Sequence, residues 1–166
     1  MSGRRILVAG IGNVFFGDDG FGVEVVRRLS ASPQREGVQV TDFGIRGLDL
    51  AYALADGYDA AILVDAVPRG GVPGTLYVLE PDVPASAMGA LTDTHSLEPT
   101  KIIGMVRTMG GRLPVLRLVG CEPSAAEDED MTMGLSVPVA AAVDGAVELV
   151  ESLIVELRGQ VAVPHA

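Results

Sequence analysis

Asp18 and Asp19 stand side by side in the stretch Gly10-Ile11-Gly12-Asn13-Val14-Phe15-Phe16-Gly17-Asp18-Asp19-Gly20-Phe21-Gly22, between a short apolar run and an amphipathic one. One carboxylate at such a place is accounted for as a helix cap, the role expected of Asp18. The second has no capping bond left to make, and its charge suits a cation and repels an anion. A further carboxylate, Asp65, closes the apolar run Ala60-Ala61-Ile62-Leu63-Val64; standing alone it reads equally well as the start of the turn that follows at Val67-Pro68-Arg69-Gly70-Gly71. His95, in Thr94-His95-Ser96, is one of only two histidines, and Cys121, before Glu122-Pro123, is the only cysteine. Carboxylates with an imidazole make a metal-ligand or general acid-base set, and a thiol with an imidazole makes a nucleophilic pair. Taken singly, His95 reads as a loop histidine and Cys121 as a small buried hydrophobe. His165, near the end of the chain, has no context that suggests a role.

Glycines after a first strand also raise the possibility of a dinucleotide site. The spacing argues against it, because the fingerprint G-x-G-x-x-G needs its third glycine where this chain has Phe15. Helical periodicity starts only near Gly20, so the loop is too long to present a helix amino end to a pyrophosphate, and it carries two negative charges.

An open α/β sheet would bring these residues together. Ile6-Leu7-Val8-Ala9 is apolar on both faces, as in a parallel sheet, and Val23, Val26 and Leu29 recur at helical spacing after the loop. Val38–Phe43 alternates as a second strand, Leu48–Leu54 makes a short helix ending at Gly57, and Ala60–Val64 is the most apolar strand. With the third strand beside the first and the second on the first strand's other side, the topological switch point falls between strands one and three, and Asp19 and Asp65 converge on one crevice. Gly74–Leu79 follows a short Gly/Pro link and is expected as an antiparallel edge strand. The stretch 82–98, which holds His95, lacks periodicity and is longer than an ordinary connection. Pro99 opens a helix that runs to Gly110, Val115–Gly120 is the last strand, and Val137–Leu157 is one long helix closed by Arg158-Gly159. Glu127-Asp128-Glu129-Asp130 reads as a solvated charge run.

The 166 residues fit a single domain over 1–160 with a short tail at 161–166, and an apolar share of 48% is enough for a core. A formal charge of −10 disfavours nucleic acid and anionic membranes as partners and favours a basic protein surface or a cation. A single cysteine cannot form an internal disulfide, which fits a reducing compartment and a cytoplasmic protein. Met1-Ser2-Gly3-Arg4-Arg5 before an apolar stretch mimics a secretory signal, but the stretch contains Asn13 and glycines, and its removal would delete the first strand. No run approaches the length of a membrane span.

Read in order, Gly10-Ile11-Gly12-Asn13 with Asp18-Asp19-Gly20-Phe21-Gly22, Asp42-Phe43-Gly44-Ile45-Arg46-Gly47-Leu48-Asp49-Leu50, Val64-Asp65-Ala66, Pro73-Gly74-Thr75, Thr94-His95-Ser96, Gly120-Cys121-Glu122-Pro123 and Gly134-Leu135-Ser136 follow one another along nearly the whole chain. With these motifs the sequence resembles the nickel-iron hydrogenase maturation proteases. The resemblance rests on their order and co-occurrence rather than on any one piece. It implies a three-layer α/β/α sandwich around a mixed, mostly parallel five-stranded sheet with one antiparallel edge strand. It also implies an endopeptidase that trims a carboxyl-terminal extension from the hydrogenase large-subunit precursor once nickel is in place. The family's metal-contacting and catalytic trio corresponds to Asp19, Asp65 and His95; the first position is often Glu in the family, and Asp19 is shorter by a methylene. The family is grouped with aspartic peptidases, although no Asp-Thr-Gly-type dyad occurs here.

Two carboxylates and one imidazole suit a divalent transition metal and are too few to fill its coordination sphere. Such a set is left open, so a precursor bringing nickel already held by its own thiolates would complete it. Two other readings remain at this stage. One is a small-molecule or nucleotide-binding module using the same crevice, with Asp42 at the end of strand two meeting a ribose. The other is a cysteine hydrolase using Cys121 and His95.

Overall fold

Apolar side chains alternating above and below one sheet decide the architecture. The computed structural model describes residues 4–33, 35–81, 99–124 and 134–162. Its strands β1 (Ile6–Ile11), β2 (Val38–Gly44), β3 (Ala60–Ala66), β4 (Leu76–Leu79) and β5 (Val115–Cys121) form one sheet in the order β2-β1-β3-β5-β4. β2, β1, β3 and β5 run parallel, and only β4 is antiparallel, paired to β5 at the edge. The helices are α1 (Phe21–Ser30), α2 (Gly47–Leu54), α3 (Pro99–Thr108) and α4 (Val137–Ala162).

Because side chains point alternately to the two faces, a strand buried on both reads as a continuous apolar run. Ile6, Val8, Ala60, Ile62 and Val64 pack under α1 and α4 against Phe21, Val25, Val143 and Val150. Leu7, Ala9, Ile11, Ala61 and Leu63 pack on the opposite face against Leu50 and Leu54 of α2 and Ile102, Ile103 and Val106 of α3. The result is a three-layer α/β/α sandwich with a core on each side of the sheet. Each fully buried Leu or Ile stabilises it by about 2 kcal/mol. β1 lies between β2 and β3, as expected, so the connections leaving β1 and β3 open at the switch point.

Some element ends differ from the sequence expectation. β1 continues through Gly10 and Ile11, which are buried and paired in the sheet rather than looped out. α1 starts at Phe21 and is preceded by a single 3-10 turn, Gly17–Gly20. Gly74 and Thr75 precede β4 instead of opening it: both still exchange backbone hydrogen bonds with Glu122, but Gly74 has a φ of +91°, outside the extended region. α4 passes through Gly159, where it was expected to close. A helical glycine there costs about 1 kcal/mol relative to alanine, less than the burial of Leu153, Ile154 and Leu157 on the same helix returns.

Candidate functional site

The loop after β1 is held by close backbone packing, and this explains its glycines. A Cβ on Gly12, which has a φ of +140°, would lie 1.8 Å from the Asp19 carbonyl oxygen. One on Gly22 would lie 2.0 Å from the Val64 carbonyl oxygen and 2.5 Å from that of Ile11, so α1 can sit directly on the ends of β1 and β3 only without a side chain there. The Gly12 N–H donates to the Gly44 carbonyl at 2.9 Å, which sets this loop beside the one leaving β2. The glycines therefore serve loop closure and helix-sheet contact. The acidic turn at the foot of α1 disfavours an anionic ligand such as a nucleotide there. Asp42 is exposed at the end of β2, and its carbonyl accepts from the Arg46 guanidinium at 2.5 Å.

Asp19 is exposed, and its Oδ2 accepts the Asn13 N–H at 2.8 Å, while Asn13 Oδ1 accepts the Phe15 N–H at 2.9 Å. These bonds close the loop on itself. Asp65, near the end of β3, is half-buried. Its Oδ1 accepts one hydrogen bond, from the Ala66 N–H at 2.8 Å. Desolvation pushes its carboxyl well above the ordinary carboxylate value, the charge of Asp19 pushes it further, and the Ala66 bond offsets part of the rise. Asp19 and Asp65, 46 positions apart by their numbers, thus share one electrostatic environment. His95, the third residue expected there, lies outside the described residues. Among the described residues no group of three or more His, Cys, Asp or Glu gathers closely enough to hold a metal ion.

Asp18 does not cap α1. The residue at the cap position is Gly20, with no side-chain capping bond, because the 3-10 turn separates Asp18 from the helix proper. Its carboxylate turns away from the loop: Oδ1 accepts the Ser136 N–H at 2.7 Å, and Oδ2 accepts the Ser136 hydroxyl at 2.9 Å and the Ser124 N–H at 2.8 Å. Ser124 follows β5 and Ser136 immediately precedes α4.

Cys121 is fully buried in the core under α1 and α4. Desolvation, followed by the charges of Asp18 and Glu122, pushes its thiol up to about 11. Fully buried and with its thiol raised, it lacks the exposed, electropositive setting of an activated nucleophile. This burial does not favour the cysteine-hydrolase reading.

Sequence reasoning passed over Glu122. It is 4% exposed, and it accepts the Tyr77 hydroxyl at 2.6 Å and the Arg69 N–H at 2.9 and 3.1 Å. The Tyr77 bond foremost, with the backbone N–H groups of Arg69, Gly71 and Gly70, lowers its carboxyl below the ordinary value against the opposing effect of desolvation. The Arg69 guanidinium lies over the Tyr77 ring at 5.5 Å. The sequence signal was a charged residue directly after a buried strand and facing a Gly-Gly turn. Its partners are 45 and 53 positions away, beyond the reach of local pattern.

The fold and site define a three-layer α/β/α protein with a carboxylate pair at the β1/β3 switch point. The family model for hydrogenase maturation protease matches residues 23–153. A putative hydrogenase maturation protease of Methanocaldococcus jannaschii is 32% identical over 90% of this chain and 96% of that protein. The hydrogenase 2 maturation protease of Escherichia coli is 32% identical over 97% and 96% respectively. Among solved structures, the hydrogenase maturating endopeptidase HybD from E. coli superposes with a TM-score of 0.73 at 28% identity, covering 92% of this chain and 93% of that one. The chain belongs to the hydrogenase maturation protease family. No helix among the described residues is long and apolar enough to cross a membrane.

Proposed function

We propose that this protein is the cytoplasmic, aspartic-type endopeptidase that removes the carboxyl-terminal extension of a nickel-iron hydrogenase large-subunit precursor after nickel insertion, with Asp19, Asp65 and His95 contacting the metal. The observation that carries the reading is the Asp19–Asp65 pair: two carboxylates at one switch point, one held far above its ordinary value by burial and by the other. Asp65, with one protein hydrogen bond on its carboxylate, keeps acceptor capacity for a proton taken from water. In the cleavage, water oxygen adds to the scissile carbonyl carbon as Asp65 takes its proton. The carbon-nitrogen bond then breaks as that proton passes to the leaving nitrogen. The pair also explains a preference for a metallated substrate. A cation brought between the carboxylates relieves their repulsion, and two carboxylates with one imidazole leave room for the thiolates that already hold the precursor's nickel.

Incubation with nickel-loaded and nickel-free precursor tests this by the size shift of the large subunit. Cleavage of the loaded form alone is expected, with none by Asp65→Asn or His95→Ala. Equal cleavage of both forms would remove nickel from the recognition step, and wild-type turnover by folded Asp65→Asn would remove the carboxylate pair from the reaction.

A further inference from the structure

The carboxylate beside the reacting pair does a different job from the one its sequence position suggests. Asp18 makes three hydrogen bonds, at 2.7 to 2.9 Å, to Ser124 and Ser136, which lie 106 and 118 positions away. The turn Gly17–Gly20 that carries it is one turn long and has no side-chain cap. Asp19 itself is restrained from within the same loop, by the Asn13 N–H on its carboxylate and by its own N–H donating to the Phe16 carbonyl at 3.1 Å. Phe15 and Phe16, just before the turn, are 54% and 48% exposed and add little packing. Among the described residues, the side-chain hydrogen bonds that tie residues 14–20 to elements outside the loop are those of Asp18. They reach the residue preceding α4 and the segment leaving β5, both built on the buried core of the α1/α4 face.

We propose that Asp18 is a positioning residue for Asp19. It locks the 3-10 turn to the β5 exit and the α4 entry, so that the adjacent carboxylate is held at the β1/β3 switch point by side-chain bonds as well as by the backbone packing of its own loop. This rests on the assignment of Asp19 and Asp65 to the reacting site. A small displacement of a reacting group lowers turnover steeply while substrate binding, spread over a larger surface, changes little. Asp18→Asn keeps the shape but replaces one accepting oxygen by an NH2 that faces donors, breaking the clamp on one side. Ser136→Ala removes only the hydroxyl bond.

The test is steady-state cleavage of nickel-loaded precursor by Asp18→Asn, Ser136→Ala, Asp19→Asn and Asp65→Asn, each at a temperature where circular dichroism shows it folded. For Asp18→Asn, kcat is expected to fall about tenfold or more with KM within about twofold, and Ser136→Ala to fall less in the same direction. A merely structural role would lower the melting temperature and leave kcat of the folded enzyme untouched. Wild-type kcat in folded Asp18→Asn overturns the proposal. Should that variant not fold, an unchanged kcat in Ser136→Ala overturns it instead. Wild-type rates in Asp19→Asn and Asp65→Asn would refute the site assignment itself, and this proposal with it. Loss in those two beside full activity in Asp18→Asn would refute only the positioning role.

Discussion

Asp65 and Glu122 are carboxylates at the same edge of the same sheet, one at the end of β3 and the other directly after β5, on strands paired in register from Ala60↔Val115 to Ala66↔Cys121. Their environments drive them in opposite directions. Glu122 is met by a tyrosine hydroxyl and by the backbone donors of one turn, so its charged form is stabilised despite its cover. Asp65 is met by one backbone N–H and by the like charge of Asp19. A carboxylate whose lone pairs are satisfied organises structure, here the connection from β3 to β4. A crowded carboxylate left short of donors and facing a like charge holds its proton more tightly.

Substitutions can break or sharpen this contrast. Asp65→Asn has the largest expected effect, a loss of cleavage of about 10²-fold or more with the fold intact. Its stability should match or exceed that of the parent at neutral pH. With the folded-state value raised, the ionisation penalty is absent below the ordinary carboxylate range and grows as pH rises through the raised value, so parent and variant melting temperatures should separate on going from acid to neutral pH. Asp19→Asn should reduce cleavage and bring the Asp65 carboxyl down by removing the like charge, read by carbon NMR titration of that carboxyl. An unmoved titration would mean that the pair is not coupled. Glu122→Gln should give the reverse pH pattern. The folded-state value is lowered, so the stabilisation is present above the ordinary glutamate range and lost as pH falls through the lowered value. The parent should therefore melt higher at neutral pH, the two curves should converge in acid, and cleavage by the folded fraction should stay within about tenfold of the parent. The smallest effect is expected from Cys121→Ala, about 1 kcal/mol of packing with turnover retained; a folded but inactive variant would reinstate the thiol.

Buried strands, helical stripes and the switch point follow from apolar periodicity, which is local, so β1, β2, β3 and β5 with their order could be read from the chain. For the same reason Asp19 and Asp65 could be placed at one sheet edge in advance: each closes or follows a buried run, and topology alone sends both there. Helix ends were less legible. The 3-10 turn before Phe21 and the continuation of α4 past Gly159 depend on packing against other elements and not on capping residues.

What the sequence by itself determined is the layered sheet, the family, and the acidic character of one loop, all set by residue order within short windows. Only the tertiary structure decided how the acidic residues divide their work. Asp18 turned from an expected helix cap into a clamp on Ser124 and Ser136, Glu122 gathered the donors of the Arg69–Gly71 turn, Asp65 was left with one donor and a neighbouring charge, and Cys121 was sealed away from both solvent and ionisation. The physical reason is that a carboxylate's behaviour is set by the donors, charges and solvent within a few ångströms. In this chain those neighbours come from segments tens to more than a hundred positions away.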